Sequence, residues 1–169
     1  MTNQTHEHER AALDQGLLDG GSLAARMLSA AAESGMRRDA ARANVVLAFE
    51  PDVTHHLRAA IPSPDADIDL IRRRERTRGL VERMVELALR VADIARLASR
   101  TGAPAIDELD RLCRLSEITA SSGRALLTAP ESAFQPLAEV LDELLCRAEG
   151  AAQRSAQILD GRSASCLAS

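Results

Sequence analysis

Apolar residues recur at three- and four-residue spacing along most of this chain, the period of helices that each hide one face. The clearest stretch runs from Asp65 to Ser99. With Leu80 as the zero of a helical wheel, Met84, Leu87, Val91, Ile94, Ala95 and Ala98 fall within about 60° on either side. Glu82, Glu86, Arg90 and Asp93 fall opposite, so the segment predicts a long amphipathic helix. Earlier in the chain, Gly20-Gly21-Ser22 reads as a break, with Ser22 the N-cap of a helix from Leu23 to about Ser34. The polar residues 1–22 ahead of it predict a flexible N-terminal segment. Gly35 breaks or weakens the next turn. Asp39 to Leu57 then reads as helix with Ala40, Ala43, Val46 and Leu47 inward, and Pro51 either opens a new helix after Glu50 or kinks a single one.

Ile61-Pro62-Ser63-Pro64 predicts a linker, because two prolines so close cannot continue a helix. Thr101-Gly102-Ala103-Pro104 carries a Gly-then-Pro stop signal. A further helix is expected from about Ala105 to Leu127, with Leu109, Leu112, Leu115, Ile118 and Leu126 on its apolar side. Thr128-Ala129-Pro130-Glu131 opens the last one, with Pro at the first helical position. Its inward residues are Leu137, Val140, Leu141, Leu144 and Leu145, and it is expected to end near Leu159. The small residues of 161–169 predict a flexible tail. The expected fold is all-α: an antiparallel bundle of about five to six helices over residues 23–160, with 23–100 and 104–160 as candidate repeats.

Composition narrows this further. The 169 residues are 46% hydrophobic but only 1% aromatic, which argues against β-structure and for a closely packed aliphatic helical core. All 21 basic residues are arginine, and the net charge is −4. Such a molecule has no long-range attraction for nucleic acid. The three cysteines, Cys113, Cys146 and Cys166, stand at wide spacings without a C-x-x-C pair, as expected of reduced thiols in a cytoplasmic protein. Residues 1–15 lack a hydrophobic signal core, and no apolar run approaches the ~18 residues of a membrane span.

The candidate chemistry is sparse. Arg72, Arg73, Arg74, Arg76 and Arg78 place five guanidinium groups within two helical turns. They could bind phosphate groups, an anionic lipid surface or an acidic partner face; the alternative is a solvated face balanced by Asp65, Asp67, Asp69 and Glu75. Glu82, Glu86 and Asp93 lie within a ~40° stripe and could hold a divalent metal ion if a second helix supplied ligands. Equally, Glu86 and Arg90 are spaced for a surface ion pair. His6 and His8 read as surface residues, as do the adjacent His55 and His56, which point about 100° apart on a helix. No nucleophile elbow, phosphate-binding glycine loop or H-E-x-x-H occurs. Ser121-Ser122-Gly123 reads as a small-residue helix contact. A non-enzymatic role is expected.

Three passages resemble the PhoU family, the helical regulators of bacterial phosphate uptake. Met36-Arg37-Arg38-Asp39-Ala40-Ala41-Arg42-Ala43-Asn44-Val45-Val46 resembles the family's turn into an Ala-rich helix. Leu80-Val81-Glu82-Arg83-Met84-Val85-Glu86-Leu87-Ala88, continued by Val91-Ala92-Asp93-Ile94-Ala95, is similar to the family's acidic segment. Here Leu80 replaces its first acid, Val85 a glycine and Glu86 an aspartate. Leu126-Leu127-Thr128-Ala129-Pro130-Glu131-Ser132-Ala133 resembles the first passage again, as the start of a second repeat. The resemblance covers about residues 23 to 160. It implies a regulator that restrains phosphate import or signalling by contacting a transporter or a sensor kinase, and a metal site at Glu82 and Glu86. Two alternatives come from other classes. One is an enzyme, since the Arg-rich helix followed by Arg100-Thr101-Gly102-Ala103-Pro104 resembles the all-α chorismate mutases, which hold a dicarboxylate with basic side chains. The other is a homo-oligomeric scaffold, such as a dimer, with the Leu80–Ala98 stripe partly an intersubunit face.

Overall fold

The computed structural model describes residues 2–59, 68–102 and 106–167, with side chains over 15–58, 68–102 and 106–161. Six helices and no strand occur among the described residues: α1 (Thr2–Arg37), α2 (Ala40–Ala48), α3 (Glu50–Ala59), α4 (Ile68–Thr101), α5 (Asp107–Leu127) and α6 (Glu131–Leu167). The expected all-α bundle is therefore present. The Pro-rich linker at 61–64, like Ala103 and Pro104, lies outside the described residues.

Long-range contacts fix the arrangement. Gly35 of α1 lies against Cys113 and Gly21 against Leu127, so α5 runs antiparallel to α1. Gly20 meets His56 and Leu57, so the α2–α3 leg returns along α1 as well. Arg73 reaches Ala129, and Arg83 reaches Asp142 and Glu149, so α4 and α6 run side by side in one direction. Taking α2–α3 as a single broken leg, successive legs alternate in direction. Helices α1, α4, α6 and α5 form a four-membered ring, with α2 lying against both α1 and α4.

The α4 periodicity holds in full. Leu80, Met84, Leu87, Val91, Ile94, Ala95 and Ala98 are buried, and Glu82, Glu86, Arg90 and Asp93 are exposed. That stripe is covered by the chain's own helices, so it offers no intersubunit face. Fully burying one leucine side chain contributes about 1.5–3 kcal/mol, and Leu28, Leu87, Leu109, Leu112, Leu141, Leu145 and Leu159 are all essentially inaccessible.

Helix ends show where local rules win or lose. Asp39 caps α2, its side chain accepting from the Arg42 amide at 3.0 Å. Pro51 sits in the first turn of α3, where its missing N–H costs nothing. Gly102 ends α4 with φ +57, as its sequence predicts. Helix α1 instead ends on Arg38 at φ 53, with Arg38 N–H donating to Gly35 O and Asp39 N–H to Ser34 O, the paired bonds of a left-handed C-cap.

Other expectations need correction. Residues 2–22, expected to be flexible, are helical, and no break occurs at Gly20-Gly21-Ser22. Both glycines are buried at helix crossings, so they permit close approach instead of ending a helix. Helix α6 continues to Leu167, past the expected end near Leu159 and into the 161–169 tail. Ile118 and Val140, expected inside, are half exposed at 52% and 51%. The reason is geometric: α5 packs against α1 and α6, α6 packs against α5 and α4, and both residues face away from those contacts. The second candidate repeat supplies only α5 and α6, which complete one ring with α1 and α4.

Candidate functional site

Helix α4 begins at the end of the bundle where α5 turns into α6, and it brings the arginine run there. At 100° per residue the five side chains spread around the whole helix, and the structure divides them by role. Arg72 is exposed and stands 3.7 Å from the equally exposed Asp69, a pair of little energetic weight. Arg76 is exposed. Arg78 donates from Nε to Glu82 at 2.9 Å along the helix surface. Arg73 turns inward: its Nη2 donates to the Ala129 carbonyl at 2.9 Å, and its guanidinium carbon lies 4.7 Å from the centre of the Phe134 ring. Cation–π contact and an acceptor at the end of α5 thus fix its position. Arg74 is buried, only 6% exposed.

Arg73, Arg74 and Thr77 form one side of a cavity of about 260 Å³. Leu17 and Leu18 of α1, Leu126 and Leu127 of α5, and Phe134 of α6 supply apolar walls. Thr77 occupies its own hydrogen by donating to the Arg73 carbonyl at 2.9 Å, which leaves its oxygen able to accept. The sequence flagged the arginines, but nothing in it announces that three other helices close apolar walls around two of them. Leu17 and Leu18 belong to a segment whose polarity predicts disorder.

The acidic stripe is separate from this cavity. Glu82 is engaged by Arg78, Asp93 lies 3.3 Å from Arg96, and Glu86 is exposed beside α3. The facing helix α3 presents Val53, Thr54, Leu57 and Arg58 to Glu82 and Glu86, so among the described residues no further acid joins them there. Among the described residues no group of three or more His, Cys, Asp and Glu side chains is placed to hold a metal ion. His55 and His56 lie at the surface with their rings 6.0 Å apart in an edge-on arrangement. Side chains of His6, His8 and Cys166 lie outside the described residues. Cys113 and Cys146 are free thiols, one buried and one exposed. Gly123 fulfils the expected small-residue contact, packed against the Met84 side chain.

One polar cluster escaped the sequence reading. Arg83 on α4 forms a fork with Glu149 on α6, Nε to Oε1 at 3.0 Å and Nη2 to Oε2 at 3.1 Å, and also binds Asp142. Its Nη2 further reaches the Cys146 sulfur at 3.3 Å. The Glu149 bonds favour the protonated guanidinium beyond its ordinary range. A partner 66 positions away leaves no local trace in a sequence.

No helix among the described residues is long and apolar enough to cross a membrane. No protein-family model, characterised protein or solved structure matches the chain.

Proposed function

We propose that this chain is a non-enzymatic helical adaptor of the PhoU kind, which regulates phosphate transport or signalling by docking a charged end of its bundle on an acidic face of a protein partner. By resemblance the partner is a transporter or a sensor kinase. The reading is supported by the exposed cations Arg72 and Arg76 at the start of α4, on a molecule whose net charge is −4. Arg73, held by Ala129 and Phe134, anchors that end to the rest of the bundle. Exposed charges of this sort steer a partner and fix its register more than they add affinity.

The test changes only the exposed pair. Arg72→Glu with Arg76→Glu is expected to leave the helical circular-dichroism spectrum intact and to abolish phosphate-dependent control of a reporter in cells that depend on this chain. A folded variant with unaltered control would end the docking reading. A second reading, a chorismate-mutase-like enzyme, draws on Arg73 and Arg74 sharing one cavity; turnover of chorismate by the purified chain would put it ahead of the adaptor.

A further inference from the structure

We infer that the chain associates with itself head to tail: the groove between α1 and α5 of one copy receives the outer face of α6 from a second copy. The inference goes beyond the adaptor reading and makes no use of Arg72 or Arg76, so the two can fail separately.

The fold leaves this groove open. Helix α2 lies over α1 and α4, Arg83 bridges α4 to α6, and Arg154 of α6 bonds Glu108 of α5 at 2.6 Å. Between α1 and α5, by contrast, lies an open cavity of about 610 Å³. Arg26 of α1 and Arg124 of α5 line one end, and neither guanidinium has an ion pair among the described residues. Further along, Glu117 accepts from Ser29 across the groove at 3.1 Å, and beyond it Glu33 is held by Arg37 at 2.9 Å and Arg42 at 2.6 Å. Met36 closes that end, half exposed. Along α1, therefore, two cations come before the acid Glu117.

The outer face of α6 carries the inverse order. Glu139, Val140, Glu143 and Arg147 fall within an arc of about 100°, and all are exposed, so they face away from the bundle. Glu139 accepts from the neutral Gln135 amide at 2.7 Å, and Glu143 stands 3.9 Å from Arg147, a loose surface pair. The spacings agree as well. Arg124 and Glu117 are seven residues apart, about 10 Å, and Arg147 follows Glu139 and Glu143 by about 12 and 6 Å. Laid parallel to α1, with Glu139 and Glu143 over Arg26 and Arg124, α6 brings Arg147 to Glu117. Opposite charges so arranged fix register and exclude the reverse orientation. Covering Met36 and Val140, two large apolar side chains left half exposed, favours the contact further. Among the described residues α1 and α6 do not touch, and the α6 face points outward, so one chain cannot fill its own groove. Unlike surfaces meeting between copies make a heterologous contact, which closes into a ring or extends as a chain.

Sedimentation equilibrium of the full chain at low salt, up to about 1 mM protein, tests this. The wild-type chain is expected to associate as concentration rises. Arg26→Glu with Arg124→Glu, and separately Glu139→Arg with Glu143→Arg, should each weaken association at least about tenfold. The second pair exchanges two negative charges for two positive ones and takes the net charge from −4 to 0, so overall repulsion cannot explain its effect. A chain carrying all four substitutions keeps the native net charge and restores opposite signs across the contact, and it should regain association. All four side chains are exposed, so folded variants are expected by circular dichroism. The corresponding glutamine pairs serve if a reversal fails to fold. A wild-type chain that stays monomeric throughout, association untouched by either reversal, or a fourfold variant that stays monomeric would each overturn the assignment.

Discussion

At Gly35 α1 lies directly against Cys113 of α5, and Gly35→Ala measures how much that approach matters. A Cβ added there would lie 2.7 Å from the Cys113 sulfur and 3.7 Å from a Leu109 methyl. The second distance is ordinary contact; the first is about 1 Å inside it. Cys113 is fully buried, so its sulfur has no free space to enter. Replacing glycine by alanine inside a helix contributes about 1 kcal/mol through propensity. Overpacking a dense core costs about 1–3 kcal/mol. The net expectation is destabilisation by roughly 1 kcal/mol, an apparent exception to the propensity rule. Cys113→Ala alone should also cost about 1 kcal/mol, through lost burial and a small void. In the double variant the new methyl occupies the space the sulfur vacates, so the effects should not add. The expected coupling is about 2 kcal/mol in favour of the double variant. Urea denaturation of all four proteins measures it as shifts in midpoint at constant slope. If Gly35→Ala alone is stabilising, or the two changes add within about 0.5 kcal/mol, the helices do not meet at this glycine in the manner described.

Four further outcomes concern individual side chains. Arg38 holds the left-handed C-cap of α1, a conformation that costs a non-glycine residue about 1–2 kcal/mol, so Arg38→Gly should raise the thermal midpoint by a few degrees. Arg83→Ala removes the fork that joins α4 to Glu149 and Asp142; it should cost about 1 kcal/mol by denaturation at low salt, and the deficit should shrink in 1 M salt. Burial, aided by the negative charges of Asp110 and Glu117, pushes the Cys113 thiol up from 9.0 to about 12. Because the folded chain holds this proton more tightly than the unfolded one, the associated stability is complete below pH 9.0 and is lost as pH rises toward 12. Denaturation across that range should show a downward slope that Cys113→Ala reduces. At neutral pH a thiol reagent should modify Cys146 in the native chain and Cys113 only on unfolding.

The sequence was most informative where structure is decided locally. The α4 stripe, Pro51 in the first turn of α3 and Gly102 at the end of α4 each depend on neighbours within one or two turns, and all are readable from residue type and spacing. It was least informative where one residue type serves two purposes. Glycines at 20 and 21 signal a helix end by propensity, yet here they lie inside a helix, where the missing Cβ lets Leu127 pack on Gly21 and His56 come close to Gly20. Arg38 shows the converse, a C-cap without the glycine that usually marks it. Ile118 and Val140 fit the apolar period, but which part of an apolar arc is covered depends on helix placement. The candidate site divides along the same line. Its cations form a run that the sequence displays openly, whereas its apolar walls come from α1, α5 and α6, and no spacing rule joins Leu17 to Leu126 and Phe134.

That run also has an unfavourable side, which separates function from folding. Arg76 has Arg72 at i−4, Arg73 at i−3, and Gly79 and Leu80 at i+3 and i+4. Within its own helix, therefore, it meets only like charge, worth about 0.2–0.5 kcal/mol of repulsion per pair. A glutamate at this position would convert both repulsions into attractions. Arg76→Glu should therefore stabilise the chain by roughly 0.5–1 kcal/mol, seen as a higher midpoint in thermal and chemical denaturation. If Arg72 and Arg76 form the docking surface, the same substitution should weaken partner control. Stability and function would then move in opposite directions at one residue, the trade expected where a site is kept for binding. A loss of stability in Arg76→Glu would show that the exposed arginine supports the fold. The case for a retained binding cation at this end of the bundle would then fail.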